Sequence, residues 1–408
     1  MSAGHAHLAL FLSGLSGGGA QRRMLTLARE FARRGHRVDV VVPSPEGPFR
    51  AEIAPPVRLV ALNAGGFRFP GPSRARGPKV MASTPALAGY LRRERPDVVL
   101  STSNPANLAA LWARALARTH TPVVVSVNVH LGEATGTRQK AWGPVLRGLL
   151  RRFYPSADGI IAISDGVAAD FARRIDVPIE RITTIHNPIA VEELQARADE
   201  TLDHPWLAAG SPPVLLAVGK LKIQKDLATL LRAFARIRAQ REARLVILGE
   251  GEERGSLERL ARDLGIAADV VLPGFTYNPF AWMGRASVFV LSSAWEGFSN
   301  ALSEALACGC PVVSTDCPSG PAEILDGGRY GPLVPVADDR ALAAAVQAVL
   351  DSPPPADRQR ARAAEFSVDA AVDRYLEVLL RTARGADEEE GQAGWMSRRN
   401  TLQSSFTR

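Results

Sequence analysis

Four short stretches of this chain combine glycine, lysine, glutamate and histidine in spacings that can hold an anion and stabilise a departing one. The first is Ser13-Gly14-Leu15-Ser16-Gly17-Gly18-Gly19-Ala20, which follows an apolar run and opens an amphipathic one. Consecutive glycines let backbone approach a ligand, and a helix N-terminus favours negative charge. The spacing lacks the full dinucleotide fingerprint, and a plain tight turn also accounts for it. The second stretch, Gly219 to Asp226, carries Lys220, Lys222 and Lys225. Three lysines at a strand-to-helix loop have the composition of a phosphate clamp, although loop lysines are commonly just solvated.

The third stretch runs from Trp295 to Glu304, with Glu296 and Glu304 bracketing Gly297, Phe298, Ser299 and Asn300. A fully helical path between the two glutamates spans roughly 12 Å, which approximates the reach from the sugar hydroxyls to the ribose of a nucleotide sugar. The free N–H groups of Gly297 to Asn300 then face a diphosphate between them. Equally, Glu296 can cap the helix and Glu304 can pair with an arginine. The fourth candidate is His130, just past an apolar run, suited to a hydroxyl or phosphate oxygen or to a purely structural hydrogen bond.

Positioning such groups requires strands that end beside them. Short apolar runs at Leu8–Leu12, Val38–Val42, Val57–Leu62, Asp97–Leu100, Val123–Val127, Gly159–Ile163 and Ile182–Ile185 alternate with amphipathic segments such as Ala20–Arg34, Leu108–Arg118 and Val167–Arg174. The rhythm resumes at Val214–Val218, Leu245–Leu248, Val270–Leu272, Val288–Leu291 and Val312–Ser314, with helices expected at Leu227–Arg238, Ser256–Leu264 and Ala301–Ala307. Runs this apolar and short suit parallel sheets buried on both faces, and the alternation predicts doubly wound α/β domains. The pattern breaks near His186–Pro213, so we expect two domains: 1–187, a linker at 188–212, and 213–370. Two such sheets facing one another leave a cleft edged by the carboxyl ends of their strands. Residues 65–79, rich in Gly, Pro and Arg, are expected to form a surface loop, and 385–408 a disordered tail.

The bulk numbers bound the class. The 408 residues are 46% hydrophobic and 22% charged, the balance of an ordinary globular protein. No apolar run reaches membrane-spanning length, no signal-peptide pattern opens the chain, and three clustered cysteines cannot build a disulfide framework. A cytoplasmic location is expected. Net charge is +7, yet residues 1–190 alone carry 25 Lys and Arg against 12 Asp and Glu, a surplus of +13. That asymmetry points to an anionic partner or to solvated, arginine-rich helix faces. Basic and aromatic residues from Arg138 to Tyr154 read either as an anionic-lipid surface or as a packed helix. Cys308-Gly309-Cys310 lacks a fourth ligand and reads as small buried side chains rather than a metal site.

Taken in order, the stretches GGGAQR, VGKLKIQKD, ILGEGEERGSLERL and FVLSSAWEGFSNALSEALACGCPVVSTDCPSGPAEIL resemble the family 4 glycosyltransferases. The last contains that family's paired glutamates, and the similarity runs over roughly residues 8–380. The resemblance implies the two-domain GT-B fold and a retaining sugar transfer from a nucleotide diphosphate donor. It further implies that Lys220 and Lys225 hold the diphosphate, that Glu296 binds sugar hydroxyls and Glu304 the ribose. His130 and the Gly17–Gly19 loop would sit near the sugar and acceptor, Asn187 would enter the hinge, and a helix at 371–384 would cross back to the first domain. Two positions depart from the family pattern. Lys220 stands where Arg is usual, replacing a bidentate grip with a point charge, and Gln21 stands where Glu is usual.

No Asp-x-Asp pair occurs in the sequence, so lysines and helix N-termini are expected to stabilise the leaving diphosphate without a metal or other cofactor. The likeness of TDCPSGP to enzymes of bacterial surface-glycan assembly favours a UDP-sugar and a glycan or lipid-linked acceptor. A sugar-nucleotide epimerase or hydrolase on the same fold is the alternative. A nucleic-acid-binding module is a third, disfavoured because the arginines are not interleaved with aromatics.

Overall fold

A computed structural model describes residues 5–16, 18–63, 76–131, 137–208 and 210–385, with side chains described throughout except at 76 and 137–143. These residues form two compact units. One gathers the described parts of 1–163, 168–185 and 372–385; the other gathers 164–167 and 186–371.

The first unit is a parallel seven-stranded sheet. Its strands are β1 (His7–Phe11), β2 (Arg37–Val42), β3 (Arg58–Ala61), β4 (Val98–Thr102), β5 (Val123–Val127), β6 (Gly159–Ala162) and β7 (Ile182–Thr184), in the order β3-β2-β1-β4-β5-β6-β7. The chain leaves β1 in one direction and returns to its other side at β4, creating a switch point between them. Leu8 therefore pairs with both Val38 and Val98. Strands β1, β4 and β5 are buried along their whole length, as continuous apolar runs predict for a sheet covered on both faces. The helix Gly19–Arg33 buries Met24, Leu27, Ala28 and Phe31, at the spacing of one helical stripe.

Near the amino ends of the first three strands lies a buried carboxylate. Asp39 accepts from Tyr90 Oη at 2.7 Å and Arg58 Nε at 2.8 Å, and its Oδ2 sits 2.8 Å from His7 Nε2. Burial alone would raise its pKa, but the bonds from His7, Arg58 and Tyr90 hold it well below the usual carboxylate range. This cluster fastens strands at the end away from the candidate chemistry.

The second unit repeats the plan with six strands: β8 (Val214–Val218), β9 (Arg244–Leu248), β10 (Val270–Gly274), β11 (Val288–Leu291), β12 (Val312–Thr315) and β13 (Leu333–Val334), in the order β10-β9-β8-β11-β12-β13. Its switch point falls between β8 and β11. The core centres on Leu230, Leu231, Phe234, Leu245, Ile247, Val290 and Val313, all buried. Each such side chain contributes about 1.5–3 kcal/mol relative to exposure.

Three differences from the sequence expectation have physical reasons. Residues 188–212 cluster with the second unit: the helix Val191–Ala198 buries Val191, Leu194 and Ala198, so its acidic face conceals an apolar stripe. Within 65–79, residues from Arg76 are helical (Arg76–Ala82), because Pro78 sits in the first turn, where its missing N–H costs no bond. Residues 65–75 lie outside the described residues, as does the tail beyond Gly385. Strand β13 escaped notice because two residues carry no periodicity. Helix extends over 368–385, and its residues from 372 cluster with the first unit.

Candidate functional site

In the second unit, the loops after β8 and β11 meet at the switch point. Gly219 opens the lysine loop by donating its N–H to Leu248 O at 2.9 Å. A single 3-10 turn, Ile223–Lys225, follows, and Asp226 takes a left-handed φ of 41° while its carboxylate accepts from Thr229 N and Thr229 Oγ1. That aspartate caps the helix Leu227–Arg238 and fixes the side of the turn from which Lys225 emerges.

Lys225 points at Glu296. Its Nζ lies 2.5 Å from Glu296 Oε1, with both side chains largely buried. The same carboxylate oxygen accepts from Ser293 Oγ at 2.7 Å. Ser293 is itself held, since Thr315 Oγ1 donates to its carbonyl at 2.6 Å. Gln224 stitches the two loops: its carbonyl accepts from Ala294 N at 2.9 Å, and its Nε2 donates to Trp295 O at 2.8 Å. Ser292 Oγ closes the stitch by donating to Lys225 O at 2.8 Å. Gly219, Lys225, Ser292 and Ser293 line a small pocket between these strand ends.

The cationic loop is crowded. Burial, then the charge of Lys225, then that of Lys220, press the Lys222 ammonium below the ordinary lysine range, while Glu296 and Glu252 partly offset them. Lys220 is exposed. An arriving anion relieves this repulsion.

Glu296 does not cap the helix after it, and the path to Glu304 is not helical throughout. Helix begins only at Asn300 (Asn300–Ala307), leaving Gly297, Phe298 and Ser299 as a loop. The physical reason is that residues 296–299 are tied elsewhere: Glu296 N bonds Pro318 O, and Gly297 O accepts from Ser164 Oγ. Ser299 occupies the N-cap position without a side-chain cap bond, and its buried hydroxyl has no hydrogen-bond partner among the described residues. Uncapped first-turn amides beside an unsatisfied hydroxyl suit an anionic ligand. Asn300 Oδ1 accepts from Asn187 Nδ2 at 2.8 Å, which places the residue expected at the hinge against this helix start. Glu304 is half-buried on the same helix.

A second carboxylate, unassigned by the sequence, sits close by. Glu323 accepts from the backbone amides of Asp165 and Gly166 at 2.8 and 2.9 Å and lies 3.1 Å from His186 Nε2. Burial raises its pKa, but the bonds from His186, Gly166 and Asp165 outweigh that and hold it below the ordinary glutamate value. His186 stacks on Phe298, 5.4 Å between ring centroids, so the strap reaches the Glu296 loop.

In the first unit, Gly18 and Gly19 start the helix Gly19–Arg33, with Gly18 at φ 134°, a conformation that side chains rarely adopt. Gly17 lies outside the described residues. His130 follows β5, and its Nδ1 lies 3.4 Å from Asp170 Oδ2. Sequence reading missed Arg23, whose buried Nη2 donates to Ser126 Oγ at 2.9 Å, Asn128 Oδ1 at 2.6 Å and Thr102 Oγ1 at 3.3 Å. The signal was present, because Arg23 stands four residues before Leu27 on the apolar stripe of its helix.

The three thiols are buried, and burial pushes Cys308 and Cys317 up to about 12. Among the described residues no group of three or more His, Cys, Asp or Glu side chains could hold a metal ion, and no helix is long and apolar enough to cross a membrane.

Residues 17–193 match the family described as Glycosyltransferase Family 4, and residues 212–352 match Glycosyl transferases group 1. The chain is similar to the Campylobacter jejuni N-acetylgalactosamine-N,N'-diacetylbacillosaminyl-diphospho-undecaprenol 4-alpha-N-acetylgalactosaminyltransferase, 34% identical over 203 residues, 50% of this chain and 53% of that one. The match spans 53%, 62% and 65% of the length of three curated relatives. Among solved structures, sucrose-phosphate synthase from Thermosynechococcus elongatus superposes with a TM-score of 0.77 at 20% identity, covering 93% of this chain and 100% of that one. The Anabaena protein HepE in complex with UDP and glucose gives 0.74 at 21%, covering 92% and 100%. At these identities the structural likeness is one of fold.

Proposed function

Because this chain belongs to the family 4 glycosyltransferases, we propose that it transfers a hexose or N-acetylhexosamine from a nucleotide diphosphate sugar, UDP-linked by preference, to a lipid-linked or polysaccharide acceptor. Transfer proceeds with retention of anomeric configuration and without a metal, in the cytoplasm at the inner face of the membrane. The observation that carries this reading is the pairing of Lys225 with Glu296 at the carboxyl ends of β8 and β11, beside exposed Lys220 and the uncapped start of the helix Asn300–Ala307.

Each group has a role in that scheme. Lys225 and Lys220 take up charge as the C–O bond to the diphosphate breaks, assisted by the helix-start amides and the Ser299 hydroxyl. Glu296 binds donor-sugar hydroxyls, and Glu304 binds those of the ribose. The sugar passes through an oxocarbenium-like state, and the acceptor oxygen enters on the face the diphosphate leaves, its proton passing to the departing diphosphate oxygen. Ser293 and Lys225 already engage Glu296 Oε1, so we give that carboxylate a binding role and not a nucleophilic one. His130 and the Gly18–Gly19 turn serve the sugar and acceptor. The acceptor class draws on the Campylobacter relative, whose name specifies a diphospho-undecaprenol substrate. The donor base draws on HepE, solved with UDP.

The test is a thermal-shift screen with UDP, GDP, ADP and dTDP in EDTA, followed by product analysis with and without a lipid-diphosphate glycan acceptor. At one hundred times its dissociation constant, a bound nucleotide stabilises the fold by about 2.7 kcal/mol. UDP is expected to raise Tm most and EDTA to leave the shift intact. No stabilisation by any nucleoside diphosphate overturns the reading. Free sugar formed equally well without acceptor makes the protein a hydrolase.

A further inference from the structure

His130 sits on a four-residue turn that is pinned at both ends. At the first end, Asn128 Oδ1 accepts from Arg23 Nη2 at 2.6 Å, and Asn128 Nδ2 donates to Thr102 Oγ1 at 2.7 Å. At the second, Leu131 N donates to Asp170 Oδ2 at 2.7 Å, while Asp170 Oδ1 accepts from Arg174 Nε at 2.5 Å. Between the pins, Val129 is exposed, and the His130 ring keeps Nδ1 toward Asp170 at 3.4 Å. Arg23, Thr102, Ser126 and Asp170 are all more than nine-tenths buried.

A single turn does not need three buried polar anchors from separate elements to stay folded. Anchors on a separate helix (Arg23), a separate strand end (Thr102) and a second helix (Asp170) restrict where the ring can go. The Asp170 carboxylate stands 3.4 Å from Nδ1 without a hydrogen bond to it, so the charge beside that edge of the ring, and not a fixed proton, biases its orientation.

We propose that Asn128 is a positioning residue that acts on transfer through His130, with Arg23 as the buried post to which it is tied and Asp170 holding the other end of the turn. The inference rests on the proposed placement of His130 against substrate. Asn128 touches no reacting atom in this scheme; it sets the location of the group that does.

A kinetic double-mutant cycle tests it, using Asn128→Ala, His130→Ala and the pair together, with UDP binding measured in each. Misplacing a reacting group by a fraction of an ångström is expected to lower kcat about ten- to a hundredfold for Asn128→Ala. Loss of the imidazole itself is expected to cost at least about a hundredfold. The double variant should match His130→Ala within about twofold, because removing the group makes its positioning irrelevant. Asn128→Asp, which keeps the acceptor for Arg23, should restore most of the turnover. UDP affinity should stay within about twofold throughout. If Asn128→Ala is insoluble, Asn128→Ser takes its place in the cycle. An undiminished cost of Asn128→Ala in the His130→Ala background overturns the positioning role while leaving His130 in place. A silent His130→Ala removes both that role and the assignment of His130 beneath it.

Discussion

Lys225 and Glu296 hold one another at 2.5 Å in a nearly closed environment, so neither can be removed without stranding the other. Breaking a buried pair by deleting one member costs about 3–5 kcal/mol, whereas deleting both costs much less. Lys225→Ala and Glu296→Ala are each expected to lower Tm and to reduce kcat/KM at least about a hundredfold, the loss typical of one preorganised electrostatic contact. The double variant should regain part of the Tm and none of the activity. Calorimetry alongside initial rates checks this, and recovery of rate in the double variant contradicts a direct role for the pair. Glu323 gives a second expectation at this scale. Its pKa is depressed in the folded protein, so its contribution to stability is full above the ordinary glutamate range and is lost as pH falls through and below it. The Tm gap between wild type and Glu323→Gln should be widest at neutral pH and should shrink below about pH 4. A gap independent of pH means that the strap to Asp165, Gly166 and His186 contributes nothing through its charge.

At the scale of elements, the lysine loop depends on close backbone crossing at the carboxyl ends of β8 and β9. Gly249 has φ 137° and donates its N–H to Gly274 O at 2.8 Å, and a Cβ at this position would stand 1.9 Å from Gly219 O. Gly251 faces the same problem against Leu221 O at 2.1 Å. Side chains here force the loop from Gly219 to Asp226 to move, and Lys225 with it. Gly249→Ala is therefore expected to cost about 2 kcal/mol or more and to weaken UDP binding at least tenfold, readable by chemical denaturation and isothermal titration. Gly265, at φ 70° with open space around it, is the control, and its alanine variant should leave UDP binding unchanged. Equal effects from both substitutions would mean that the crossing has no special bearing on the lysine loop.

Across the whole molecule the charge is uneven, and the helix Thr137–Phe153 concentrates it. That helix contains no acidic residue, and Arg147, Arg151 and Arg152 are exposed beside exposed Val145. At 3.6 residues per turn these four spread over about 160° of the helix, a broad basic band of the kind the proposed membrane contact requires. At about 1 kcal/mol per basic residue, replacing all three arginines by glutamate should weaken binding to phosphatidylglycerol vesicles by more than tenfold. Transfer to a soluble acceptor should be unaffected. Sedimentation with vesicles of phosphatidylglycerol and of phosphatidylcholine reads the difference; equal binding to both removes the electrostatic basis of the membrane contact. Side chains of Arg138 and Trp142 lie outside the described residues and play no part in this expectation.

Strand runs such as Val123–Val127 and Val288–Leu291 were legible in the chain because a strand buried on both faces must be apolar at every position. Lys220, Lys225, Glu296 and Ser299 stood out because chemistry concentrates where parallel strands end, and those ends are local features of sequence. The packed role of 188–212 was not legible, since Val191, Leu194 and Ala198 show an apolar stripe only once another surface covers it. The Lys225–Glu296 pair, the strap from Glu323 and the tie from Arg23 to Asn128 join residues 71, 157 and 105 positions apart. Spacing along a chain does not encode such distances. The first and the last follow from the order of strands in each sheet, which brings the end of β8 beside β11 and the end of β4 beside β5, and only the folded structure settles that order.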